Sequence, residues 1–296
     1  MPSSRRQFLA LAATGVAAAA TQPWRTARAL SPPSAAWQSA PALPASTQEV
    51  YGTTWDGHLL VAGGLRSDAN TRRRFTTLAQ TARFDPTTET WSTGPDLPDP
   101  RHHIVLETVG DTAYGFGGFV GDNLAQNGFQ FRDDVYAFDG DAWARIGSMP
   151  TPLGETVALS VDGRIHLVTG SRHGETTGAS GTHRVYDPTA DAWSEARPAP
   201  TARSSATGAV IDGHLYVAGG RTTQDGVTNL GALERYDPES DTWTECRPLP
   251  QPSGGLNGAA TGGTLYVLAA STFRTGAGSS RRRGPTTRRR TTGQNV

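Results

Sequence analysis

The chain has no lysine and a single cysteine. With Cys246 alone, an intrachain disulfide is excluded, and its place three residues after Trp243 reads as an ordinary strand position rather than a reactive thiol. All 27 basic side chains are arginine, and they balance 27 acids to a formal net charge of zero. That balance hides three regions. Residues 1–29 hold four arginines and no acid, and residues 271–296 hold seven and no acid. The intervening stretch therefore carries 16 basic against 27 acidic groups. A domain with that surplus of acid is not a nucleic-acid binder, because phosphate contacts need basic patches. No hydrophobic run spans a bilayer: the longest, Leu9 to Ala20, is too short. A nucleophile elbow, a phosphate-cradling loop and zinc-ligand spacing are also missing, so no metal and no cofactor is expected.

What the chain has in quantity is turn chemistry, with 35 glycines and 20 prolines. The stretch from Ser204 to Pro250 divides into four short strands. Ala209 to Ile211 and Leu215 to Val217 flank Asp212-Gly213, a tight-hairpin signal, while Leu233 to Tyr236 and Thr242 to Thr244 flank Asp237-Pro238-Glu239-Ser240. The unit is a four-stranded antiparallel meander, and it recurs. Closing tryptophans fall at Trp91, Trp143, Trp193 and Trp243, and a diglycine position falls at Gly63-Gly64, Gly117-Gly118, Thr169-Gly170 and Gly219-Gly220. An aromatic-Asp pair precedes each tryptophan, at Phe84-Asp85, Phe138-Asp139, Tyr186-Asp187 and Tyr236-Asp237. Repeats of this length, from a meander that cannot bury both faces alone, imply radial stacking of sheets.

Diglycine, aromatic-Asp and Trp landmarks in this order resemble the kelch motif, over about Trp37 to Ala270. The resemblance implies an all-β, kelch-type β-propeller of four-stranded antiparallel blades. The glycines would let a backbone pass against the next blade, and the tryptophans would fill the wedge between sheets. Trp37 to Pro44 matches the end of a unit whose earlier strands are absent, so Trp37 is expected to supply the outer strand of a closing blade. A fifth unit starts at Leu256 and stops after its first hairpin, at Ala269-Ala270. Four full blades and parts of others make an incomplete propeller, whose intact relatives would have six blades.

The flanks read differently. Residues 1–29 combine Arg5-Arg6-Gln7-Phe8-Leu9, the apolar run and Ala27-Arg28-Ala29, which resembles a twin-arginine export signal and implies a periplasmic or extracellular protein with no stable membrane span after cleavage. Residues 30–36 are a linker, and residues 37–270 are the repeat domain. The acid-free, arginine-rich tail, 271–296, has no apolar periodicity. It is either a solvated basic segment or a shifted reading frame, and the break halfway through a unit favours the second.

Alternating strand direction puts the Asp-Gly and Asp-Pro turns on one face and the unit junctions, with the long loops after the diglycines, on the other. Loops on a rigid scaffold carry function. The junction face gathers Arg101, His102, His103, Glu155, Arg203, Ser204, Ser205 and Ser253 from the junctions, and Arg66, Arg172, His173 and Arg221 from the loops, along with Arg72-Arg73-Arg74. Arginine there could hold a carboxylate-bearing sugar or an acidic peptide through paired hydrogen bonds. Equally, a junction arginine can simply tie down neighbouring carbonyls. Two functions fit. One is an exported, non-catalytic module with a protein or glycan ligand at the junction face. The other is a carbohydrate-modifying enzyme, similar to kelch proteins that interconvert sialic acid anomers, with Glu155 as proton-transfer group and Arg101 or Arg203 holding the substrate carboxylate. An acid facing an arginine across the mouth would favour the enzyme.

Overall fold

The computed structural model describes residues 39–67, 75–121, 129–172, 178–222 and 226–269. Regular structure there is β throughout. Blade one is Tyr51–Trp55, His58–Ala62, Thr81–Asp85 and Thr90–Gly94. Blade two is Val105–Val109, Thr112–Phe116, Asp134–Phe138 and Trp143–Ser148. Blade three is Val157–Val161, Arg164–Val168, His183–Asp187 and Ala192–Glu195, and blade four is Thr207–Ile211, His214–Ala218, Leu233–Asp237 and Thr242–Glu245. Each blade pairs its strands in chain order as an antiparallel meander. Leu256–Thr261 and Thr264–Ala269 form a further hairpin. First strands of successive blades are neighbours, so they are innermost.

Local chemistry explains the repeat. Asp212 and Gly213 both have positive φ, 49° and 75°, as the tightest hairpin turn requires. The Asp of each aromatic-Asp pair caps its own turn: Asp187 Oδ1 accepts from Thr189 N at 2.9 Å and Asp237 Oδ1 from Glu239 N at 3.0 Å. Gly63 sits at φ 73°, and a Cβ there would collide with the Arg101 carbonyl, at the junction into blade two.

The cores lie in the seams between blades. Trp55, Leu60 and Ala62 of blade one pack with Ile104, Leu106, Phe138 and Trp143 of blade two. Comparable clusters join blade two to three, three to four, and four to the last hairpin. Burial of this kind contributes about 25 cal/mol per Å² of apolar surface. Trp143 Nε1 also donates to Thr81 Oγ1 at 3.0 Å across the first seam. The ends of the array lack such cover among the described residues. Leu59 is 42 % exposed, whereas its equivalents Ala113, Ile165, Leu215 and Leu265 are at most 1 % exposed. Trp37 lies outside the described residues.

The long loops after the diglycines carry strand pairing of their own. Each opens and closes as a two-stranded ribbon: Leu65–Ser67 with Phe75–Thr77, Phe119–Val120 with Gln130–Phe131, Ser171–Arg172 with Gly178–Ala179, and Arg221–Thr222 with Thr228–Asn229. The first residue of each ribbon also bridges to its own blade's junction, at Gln48, His102, Gly154 and Ser204. Tertiary pairing therefore supplies what local propensity does not.

Candidate functional site

Immediately before the inner strands lies one column of left-handed residues. Glu49, His103, Glu155 and Ser205 have φ of 54°, 53°, 54° and 53°, and Gly255 has 71°. For a residue with a side chain this conformation costs about 1–2 kcal/mol, and it persists only where surroundings enforce it. Backbone bonds between successive blades do so: His103 N donates to Glu49 O at 3.2 Å, Ser205 N to Glu155 O at 3.1 Å and Gly255 N to Ser205 O at 2.9 Å.

The column brings titratable groups together at the inner rim of the junction face. His103 Nε2 lies 3.0 Å from Glu49 Oε2 and 3.6 Å from Glu155 Oε1. Ser171 Oγ donates to Glu155 Oε2 at 3.1 Å. Hydrogen bonding from His103 holds the Glu49 carboxyl below the usual carboxylate range, against the opposing effect of burial, and Arg221 adds attraction. Burial pushes the Tyr51 phenol well up, with repulsion from Glu155 and Glu49 assisting. Arg221 occupies the place the column leaves open at Gly255, where a Cβ would come within 2.6 Å of its Nη2. The rim thus combines two carboxylates and an imidazole on strained but fixed backbone with a phenol and a guanidinium from neighbouring strands.

The residues expected from sequence divide. Glu155 and Arg221 belong to this rim. Ser204 is buried and pairs with Arg221 through the backbone. Arg66 and Arg172 lie exposed on the ribbons, paired with Thr76 and Gly178. His102 is fully buried, its Nδ1 2.7 Å from His103 Nδ1. His173 and Arg72 to Arg74 lie outside the described residues.

Arg101 and Arg203 require a correction, since neither presents its guanidinium at the mouth. Arg101 is 1 % exposed, bonded to Asp134, to Tyr136 Oη at 2.9 Å and to the Pro100 carbonyl. Arg203 is wholly buried, 2.8 Å from Glu234 Oε2, and donates to Val217 O. Both are tied into their blades because the third strand supplies a buried acid, Asp134 in blade two and Glu234 in blade four. Sequence reasoning places His103 and Ser205 at the junctions but misses Glu49 and Tyr51, and with them the meeting of Glu49, His103 and Glu155. The signal was available: Glu49, His103, Glu155 and Ser205 recur at the steps of the diglycines. Among the described residues, no three His, Cys, Asp or Glu side chains are grouped to hold a metal ion.

The KLHDC2/KLHL20/DRC7 Kelch-repeats domain family matches residues 50–269. No curated protein sequence matches the chain significantly. Among solved structures, one described as the structure of YjhT is similar, with a TM-score of 0.65 and 15 % identity over 79 % of this chain and 80 % of that one. At that identity the likeness speaks for the fold. The family match covers well over half of the 296 residues, and with the four observed blades it establishes that the chain belongs to the kelch-repeat family.

Proposed function

We propose that the protein is a glycan-binding kelch propeller whose ligand seats at the inner rim of the junction face. The observation that carries this reading is the convergence of Glu49, His103, Glu155 and Arg221 on one column of left-handed residues. Carboxylates accept from sugar hydroxyls, a guanidinium donates to ring and carboxylate oxygens, and the imidazole holds the Glu49 carboxylate in place. Backbone strain that aims three such groups together, Glu49, His103 and Glu155, favours a ligand site there. The twin-arginine-like leader supports action outside the cytoplasm. Screening purified protein on a glycan array, with Glu49→Gln and Arg221→Met beside the wild type, tests the site. Retained binding by both variants with unchanged melting would move the site elsewhere.

A second reading is catalytic, and one observation favours it: the rim holds acids and an arginine together, with Glu49 and Glu155 on the column and Arg221 against its last member, Gly255. Glu155 would then transfer a proton at the anomeric centre, and Arg221 would hold a substrate carboxylate. The experiment is anomer exchange of N-acetylneuraminic acid followed by NMR. Equal rates with wild type and Glu155→Gln would eliminate catalysis and leave binding.

A further inference from the structure

His103 meets five neighbours, one of them Phe119, whose ring centroid lies 5.2 Å from its own. Glu49 and Glu155 face its Nε2, the Tyr51 ring lies 6.0 Å from its own, and His102 faces its Nδ1. Arg221 adds electrostatic attraction to Glu49. An ionised Glu49 offers only acceptors, so the 3.0 Å contact requires a proton on His103 Nε2. The opposite nitrogen is the open question, because the 2.7 Å contact between the two Nδ1 atoms needs one proton and either ring could supply it.

His102 decides. It is completely buried, and its Nε2 has no hydrogen-bond partner. Its flanks are Phe129 and Phe119, with centroids at 4.3 and 5.3 Å. Burial pushes its pKa down to about 3, so the ring is neutral and carries a single N–H. If that hydrogen sat on Nε2, a strong donor would be enclosed among phenyl groups that accept only weakly. If it sits on Nδ1, the orphaned Nε2 is merely an unused lone pair, which interiors tolerate better than an orphaned N–H.

We infer that His102 is a positioning residue, donating Nδ1–H to His103 Nδ1 and thereby holding His103 as the neutral Nε2–H tautomer aimed at the rim. Glu155 Oε1, at 3.6 Å from Nε2, is then left free of that hydrogen and able to accept from a ligand. With Nε2–H engaged by Glu49, the rim offers acceptors, Glu155 Oε1 above all, matched to a hydroxyl that gives a hydrogen bond. This use of the tautomer rests on the rim being the ligand site; the tautomer itself does not.

The test is a long-range proton–nitrogen correlation spectrum of the ring nitrogens in 15N-labelled full-length protein at pH 7.5 without ligand. Loss of signals in His102→Phe and His103→Gln assigns the two rings among the seven histidines. We expect His102 to show a protonated Nδ1 and a bare Nε2, and His103 the reverse. His102→Phe should return His103 to a mixture of tautomers, and His102→Asn, whose amide can donate from the same place, should restore the single one. If His102→Phe does not fold, the wild-type and His102→Asn spectra suffice. Wild-type His103 protonated on Nδ1, or on both nitrogens, would overturn the inference, as would an unchanged His103 in His102→Phe. Because no ligand is present, a failed glycan screen leaves this result standing, and a failed tautomer leaves the rim's binding role intact.

Discussion

The indole Nε1 of Trp243 donates to the carbonyl of Arg197 at 2.8 Å, and Arg197 stands four residues beyond the preceding repeat tryptophan, Trp193. Trp91 makes the same bond, at 3.0 Å, to the carbonyl of Pro41, which stands four residues beyond Trp37. Residues from Pro41 onward therefore take the place of the segment that follows an outer strand, as Arg197 follows Ala192–Glu195. Each indole is both wedge and hydrogen-bond donor between blades.

Trp243→Ala should accordingly destabilise by about 3–5 kcal/mol, the usual range for removing a large packed aromatic. Trp243→Phe, which keeps much of the wedge, should lose about 1 kcal/mol, near the value of one hydrogen bond. Deleting residues 1–36 should leave the melting temperature unchanged, whereas deleting 1–45 removes the Trp91 partner and should lower it. Equal melting of both deletions would remove Pro41 from the fold.

A second expectation concerns Arg203 and Glu234, whose side chains are at most 2 % exposed and 2.8 Å apart. Breaking a buried pair by removing one member leaves an uncompensated charge and costs about 3–5 kcal/mol. Arg203→Met should do so, and adding Glu234→Leu should recover much of the loss. Chemical denaturation of the two single variants and the double variant reads this directly. Glycan binding surviving in the folded double variant would show that Arg203 acts through the blade.

The same pair shows where sequence reading reaches its limit. Blades were legible because each landmark has a local cause: the Asp-Gly turn, the self-capping Asp, the glycine whose Cβ would strike the next junction. Arg203 was misplaced because its partner, Glu234, lies 31 positions away on a strand whose inward-facing register only the folded sheet fixes. Glu49 was overlooked for a related reason. It precedes the first strand of its unit, and only pairing across seams aligns it with His103 and Glu155. The ribbons depend on bridges back to the junctions, which have no local signature.

Leucines in one repeat column should differ by their place in the array. Leu215 is fully buried and Leu59 is 42 % exposed, so Leu215→Ala should cost about 2–5 kcal/mol and Leu59→Ala well under that. Exposed Leu59, Tyr266 and Leu268 are also the apolar groups to test for self-association. Light scattering that falls when Leu59→Ser and Leu268→Ser are introduced supports this role, and unchanged scattering removes it.

Stability should rise with pH through the histidine range. Burial lowers His166 to about 3 and His183 to about 4, and the two rings share a 2.8 Å hydrogen bond. The unfolded chain protonates both near 6.5 while the folded chain does not, so below that pH the unfolded state binds more protons and gains. The loss on acidification is at most about 1.4 kcal/mol per pH unit for each group. Glu107, raised to about 7 by burial beside Ser160, opposes this between its unfolded value and 7, because there the folded state holds the extra proton. Denaturation midpoints should fall from pH 7.5 to pH 5, and fall further in Glu107→Gln. A midpoint that rises on acidification would reverse the assignment.

Thr169 occupies a glycine's place. Its φ is 63°, beside 73°, 57° and 63° at Gly63, Gly117 and Gly219, so the backbone has kept the glycine geometry although the residue is β-branched. It is fully buried, and its Oγ1 has no hydrogen-bond partner. Thr169→Gly would relieve about 1–2 kcal/mol of backbone strain and remove an unsatisfied hydroxyl worth about 1–3 kcal/mol. Against this stand about 0.5–1 kcal/mol of added chain entropy in the unfolded state and the packing of one methyl group, about 1 kcal/mol. The balance favours glycine, so the variant should melt higher. Thr169→Ala separates the causes, since it removes the hydroxyl and keeps the strain, and it should gain less. A Thr169→Gly protein that melts lower than wild type would mean that the buried methyl outweighs both penalties.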